Sequence, residues 1–141
     1  MTATVPTVAR LDLMTVEEYM HAGVVTCDPS TPLVAAARML ADERIHCLVV
    51  AGLETTSNGA RLKWGTLTDR DLLRALDSGE PSLTAGAVAA TEIVTVDPDE
   101  SLSRAVQLMN EHEITHLVVV QTDFPVGVIS SLDVARAACQ R

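Results

Sequence analysis

"VVTCDPSTPLVAAARMLADERIHCLVV" (residues 24–50) and "IVTVDPDESLSRAVQLMNEHEITHLVV" (residues 93–119) align without a gap at a constant offset of 69. Asp28-Pro29 meets Asp97-Pro98, Leu33, Ala36 and Leu40 meet Leu102, Ala105 and Met109, and Leu48-Val49-Val50 meets Leu117-Val118-Val119. The offset then falls to 62, because the first copy carries seven extra residues in its next loop. Beyond that loop "GTLTDRDLL" (65–73) answers "GVISSLDVA" (127–135). Each places a hydroxyl and an acid three residues apart, Thr68 with Asp71 and Ser130 with Asp133. Self-similarity at a fixed offset marks a duplicated structural unit.

Each copy reads as β-α-β-β-α. A short strand near 24–27 and 93–96 is stopped by Asp-Pro. Leu33, Ala36, Ala37 and Leu40 recur at i, i+3, i+4 and i+7, as do Leu102, Ala105, Val106 and Met109, which predicts an amphipathic helix in each copy. Ser30 or Thr31 is expected to cap the first helix, with Pro32 in its first turn, and Asp99 the second. Apolar strands follow at 46–51 and 115–121, then strands at 63–67 and 126–130, then helices at 69–77 and 131–139. The first copy joins its strands through "GLETTSNGAR", with Asn58-Gly59 as a turn signal, and the second through the tighter "TDFP". Lead-ins "TVEEYMHAG" (15–23) and "TAGAVAAT" (84–91) precede the copies, and the polar "DSGEPS" (77–82) links them. Each copy is small for an independent core, so the pair is expected to bury sheet against sheet.

Composition narrows the function classes. The chain is 48% hydrophobic with one Phe, one Tyr and one Trp, so its core is aliphatic. Nineteen acidic residues outnumber ten basic ones, a formal charge of −9, and there is no basic run to follow a phosphate backbone; no nucleic-acid partner is expected. No apolar run approaches about 18 residues and no signal peptide is visible, so the expectation is a cytoplasmic protein without a membrane partner. Cys27, Cys47 and Cys139 are odd in number and read as buried free thiols. With His46 they lack any metal-ligand spacing, so no metal is expected. No nucleophile elbow, Gly-rich phosphate loop or His-carboxylate motif accompanies Asp28, Asp69 and Asp71, which argues against an enzyme.

A duplicated unit with "TVEEYM", "RIHCLVV" and "GTLTDRDLL", repeated as "EITHLVV" and "GVISSLDVA", resembles a tandem pair of CBS domains, also called a Bateman module. The resemblance covers 14–78 and 84–138, after an N-terminal extension over 1–13. It implies a mixed α/β (α+β) fold of two β-α-β-β-α units packed as a pseudo-two-fold pair with two clefts. It implies a regulatory module, with no catalytic residue and no required cofactor, whose effector is an adenosyl compound: AMP, ADP, ATP or S-adenosylmethionine. It further implies a homodimer that signals to an effector protein of another chain. The alternative is a ligand-free module for dimerisation or protein docking, with Leu72, Leu73 and Leu76 as the contact.

The resemblance assigns Asp71 and Asp133 to the ribose, and Thr68 and Ser130 to the phosphate turn. The chemistry suits this: a carboxylate accepts one hydrogen bond from each ribose hydroxyl, and a strand-to-helix turn presents free backbone N–H groups. The same spacing is that of a capping box, with Asp in place of Glu, and one residue can serve both ends. Arg70 lies inside the first motif where the second has Leu132, so the first cleft is expected to be the better phosphate site. Val25, Ile45, Val94 and Ile114 fall where the family packs the base, and by themselves read as core. His46 and His116 enter the apolar strands, as cleft contacts or as hydrogen-bonded structural histidines.

Overall fold

The short apolar strands and the two i, i+3, i+4, i+7 helices form where the pattern puts them. The structure, a computed structural model, describes residues 8–52, 64–80, 82–90 and 93–139. A 3-10 helix at Val8–Leu13 is followed by α1 (Val16–Tyr19), β1 (His21–Ala22), β2 (Thr26–Cys27), α2 (Leu33–Glu43), β3 (Cys47–Ala51), β4 (Trp64–Thr68) and α3 (Asp69–Ser78). Then come α4 (Ala85–Val88), β5 (Thr95–Val96), α5 (Leu102–His112), β6 (His116–Gln121), β7 (Phe124–Ser130) and α6 (Ser131–Ala138). The fold is mixed α/β, as the sequence predicts. The Asn58-Gly59 turn lies outside the described residues.

The chain forms two compact units, and they are not the two repeats in chain order. One runs without interruption from Val24 to Ile93. The other joins residues 1–23 to residues 94–141. Each lead-in therefore belongs with the other repeat. Thr15 bridges Ser101, and the corresponding Thr84 bridges Pro32. Val16 and Glu17 donate their N–H groups to the carbonyls of Glu100 and Pro98 at 2.9 and 2.8 Å; Ala85 and Gly86 donate to those of Thr31 and Pro29 at 2.8 and 2.9 Å. Both lead-ins bury their first helical residue completely, Val16 in one unit and Ala85 in the other.

The exchange also settles the helix caps. Neither Ser30 nor Thr31 caps α2; its N-cap is Pro32, and the Leu33 N–H is taken by the carbonyl of Leu83 at 3.0 Å. A backbone oxygen from the residue just before the lead-in takes the role expected of a side chain. On α5 the cap is Ser101, whose hydroxyl accepts from the Arg104 N–H, and not Asp99, which lies two residues too early. Both helices end on a left-handed residue that is not glycine, Arg44 at φ 53° and Glu113 at φ 52°, so that Ile45 and Ile114 can return an N–H to Leu40 and Met109.

In the unit over Val24–Ile93 the sheet order is β2-β3-β4, with β2 parallel and β4 antiparallel to the central strand. Leu48, Val50 and Leu67 from the sheet meet Leu33, Ala36 and Leu40 from α2. In the other unit the order is β1-β7-β6-β5, because the lead-in contributes a strand. Its core joins Leu102, Ala105 and Met109 to Leu117, Val119 and Ile129. The β6–β7 hairpin turns through Thr122 and Asp123, both at positive φ, so Phe124 and Pro125 of the expected "TDFP" loop are already strand. Of the cysteines, Cys47 is buried and Cys27 half-buried, but Cys139 is exposed at the end of α6, contrary to the expectation of three buried thiols.

Candidate functional site

Both hydroxyl–acid motifs stand where a strand ends and a helix begins. Thr68 is the N-cap of α3: its hydroxyl accepts from the Asp71 N–H at 3.2 Å, while Asp71 Oδ2 accepts from the Thr68 N–H and hydroxyl, both at 2.9 Å. Ser130 and Asp133 repeat this on α6, with the Ser130 N–H and hydroxyl donating to Asp133 Oδ2 at 2.8 and 3.0 Å. The capping box is thus real in both copies. It uses one oxygen of each carboxylate and leaves the other to be accounted for.

The second oxygens differ. Asp71 is half-buried, and its Oδ1 accepts no hydrogen bond among the described residues. Asp133 has a side chain only 1% exposed, and its Oδ1 is held by His21 Nε2 at 3.1 Å and by Arg136. Its carboxylate has four donors. His21 and Arg136 are the site residues that sequence reasoning missed. The available signal was that His21 aligns with Ala90 at the repeat offset, a polar side chain where the other copy has a methyl group.

Residues at the strand entries diverge as well. Cys47 pairs in register with Thr68, and His116 with Ser130. His46 Nδ1 lies 2.8 Å from Asp69 Oδ2, so its ring is oriented by the first residue of α3. The second copy has Thr115 and Ser131 at those positions, and there the Thr115 hydroxyl lies 2.9 Å from Nδ1 of His116. His46 and His116 are both hydrogen-bonded, at neighbouring and not equivalent places. Burial pushes the Cys47 thiol up to about 12, and the Asp71 and Asp69 carboxylates add to the shift, so it is a protonated, inert thiol at neutral pH.

Val25 and Ile45 are partly buried against the core of one unit, and Val94 and Ile114 against that of the other. Arg70 is exposed on the first turn of α3 and makes no ion pair among the described residues. No described group of three or more His, Cys, Asp and Glu side chains is placed to hold a metal ion. Among the described residues no helix is long and apolar enough to cross a membrane.

A family model for the CBS domain matches residues 16–78 and again 85–139. The chain belongs to the CBS-domain family. It is a tandem pair, and the relatives fit that reading. Hypoxic response protein 1 of Mycobacterium tuberculosis is 30% identical over 127 residues, covering 88% of this chain and 85% of the relative. A crystal structure of that protein, with two coordinated zinc ions, superposes with a TM-score of 0.69 and 32% identity over 87% of this chain and 98% of the other. The CBS domain pair of protein MJ0100, in complex with 5′-methylthioadenosine and S-adenosyl-L-methionine, gives a TM-score of 0.74 at 21% identity, over 88% of this chain and 98% of that one. The CBS domain protein PAE2072 from Pyrobaculum aerophilum, complexed with AMP, gives 0.69 at 24% identity, over 85% and 89%.

Proposed function

We propose that this CBS pair is a non-catalytic, cytoplasmic sensor of an adenosyl compound (AMP, ADP, ATP or S-adenosylmethionine) that passes its binding state, as a homodimer, to an effector protein. The observation that carries this reading is the Thr68–Asp71 turn, with one carboxylate oxygen that accepts no hydrogen bond among the described residues and Arg70 on the same first helical turn. Asp71, and by repeat Asp133, take the ribose hydroxyls. Thr68, Ser130 and Arg70 serve the phosphate, His46 and His116 stand near it, and Val25, Ile45, Val94 and Ile114 offer aliphatic surface to the base. The adenosyl complexes of two solved CBS proteins of the same fold support the ligand class. Binding alters the partner only through different affinities for two arrangements of the pair.

The second reading is a ligand-free docking module. It draws on Leu73 and Leu76 of α3, 65% and 60% exposed; Leu72 of the same helix instead packs on the core.

A thermal-shift panel with the four adenosyl compounds, and with zinc ion as a separate arm, tests between them. Ligand at about 100 times its dissociation constant adds about 2.7 kcal/mol and should raise the midpoint by several degrees. A rise with one adenosyl compound, lost in Asp71→Ala, is the expected result. A flat panel at millimolar ligand favours the docking module.

A further inference from the structure

The two lead-ins meet their sheets in register, and this exposes a difference at one position. His21 of β1 pairs with Val128 of β7. In the other unit Ala90 bridges Thr66, with reciprocal N–H to carbonyl bonds of 2.8 and 2.9 Å. Thr66 is the repeat counterpart of Val128, so Ala90 occupies in one unit the place that His21 occupies in the other. The histidine reaches the acid of the second motif. The alanine has nothing to reach with.

We propose that His21, with Arg136, occupies the ribose-binding position of the second repeat, leaving Asp71, of the two motif acids, open to an adenosyl ligand. This rests on the ribose reading given above for Asp71 and Asp133. An ionised carboxylate offers about four lone-pair positions and only accepts. At Asp133 the Ser130 N–H and hydroxyl take Oδ2, and His21 and Arg136 take Oδ1. His21 Nε2 must carry the hydrogen it shares, because the carboxylate has none to give. A ribose hydroxyl arriving there finds no acceptor unless it displaces a charge-assisted bond, and the acid is 1% exposed besides. Arg74 stands at the position of Arg136 in the first repeat, yet makes no ion pair with Asp71 among the described residues. The arginine alone does not close a site; the histidine from the exchanged lead-in completes the closure. The second repeat then spends its acid on fastening β1 to α6, and the first keeps its acid for a ligand.

Titration calorimetry of the full chain with AMP, and separately with S-adenosylmethionine, tests this, since both carry the ribose. The wild-type chain should bind one ligand per chain, lost in Asp71→Ala and kept in Asp133→Ala. His21→Ala/Arg136→Ala should bind two, the second lost when Asp133→Ala is added. Because that double variant leaves Oδ1 of a buried acid without partners, the converse is made as well. Ala90→His, at an exposed position, should weaken ligand binding at least tenfold. Two sites in the wild-type chain, each removed by its own Asp variant, would overturn the closure and leave the sensor reading standing. So would full affinity in Ala90→His together with no gained site in a folded His21→Ala/Arg136→Ala. No binding by the wild-type chain or by either variant sinks the ribose reading itself, and the closure with it.

Discussion

The backbone N–H of Val16 donates to the carbonyl oxygen of Glu100 at 2.9 Å, fastening α1 to the turn that precedes α5 of the other repeat. The Val16 side chain is fully buried in the same core as Leu102 and Leu117. Val16→Ala should therefore destabilise the unit built on residues 94–139, by about 2 kcal/mol from lost burial and the cavity left behind. Amide hydrogen exchange locates the effect. Protection should fall across 94–139 and stay unchanged across 24–90, although Val16 is adjacent in sequence to the latter.

Gly127 faces β1 so closely that a Cβ there would lie 2.6 Å from the His21 carbonyl oxygen and 2.9 Å from Met20 Sδ. Backbone on the near side cannot yield as a flexible side chain can. Gly127→Ala should push β1 off the sheet edge at a cost of about 1–3 kcal/mol. The check is loss of exchange protection at Gly23, whose N–H donates to the Val126 carbonyl, measured together with the unfolding midpoint.

The two capping boxes should respond alike when the hydroxyl is removed and differently when the acid is. Thr68→Ala and Ser130→Ala should each cost about 1 kcal/mol, the usual value of an N-cap. Asp71→Ala should cost a similar amount. Asp133→Ala should cost more, about 2 kcal/mol, because it leaves a gap where the side chain is 1% exposed and removes charge-assisted bonds, while His21 and Arg136, 70% and 60% exposed, regain water. Urea unfolding of the four variants orders them, and equal costs for the two aspartates would contradict the difference in their surroundings.

Cys47 gives the fold an alkaline limit. Its thiol is raised from 9.0 to about 12 by burial, so above pH 9 the unfolded chain releases a proton that the folded chain keeps. The contribution is whole below pH 9 and is lost as pH rises from 9 towards 12, at roughly 1.4 kcal/mol per pH unit. Cys47→Ala should flatten that part of the stability curve. In the native wild-type chain a thiol reagent at pH 8 should label exposed Cys139 and spare Cys47.

The sequence carried the secondary structure because the cores are simple: Leu33, Ala36 and Leu40 mark a helical face, and Leu48-Val49-Val50 can only be a buried strand. It carried the two hydroxyl–acid turns because their spacing is local. It did not carry the exchange of lead-ins. Their anchoring bonds run from backbone N–H to backbone carbonyl, and such groups look the same in both repeats. The cap of α2 was missed for the same reason, since Leu83 supplies a carbonyl to Leu33 from far along the chain, whereas Ser101 caps α5 through its own hydroxyl. His21 was invisible as a site residue until its strand had a partner. Only then does a histidine near the start of the chain meet an acid near its end.

The exchanged lead-ins also set an order of events during synthesis. Residues 24–93 form one unbroken unit, so this part can close as soon as it has left the ribosome. Residues 8–23 emerge earlier still, yet every sheet edge and helix turn they need belongs to residues 94–139. A segment made before residues 24–93 finds its place only after them. Until then Val16 and Leu11 wait in water, which makes this lead-in, rather than either repeat, the point at which a chaperone or a protease would meet this chain.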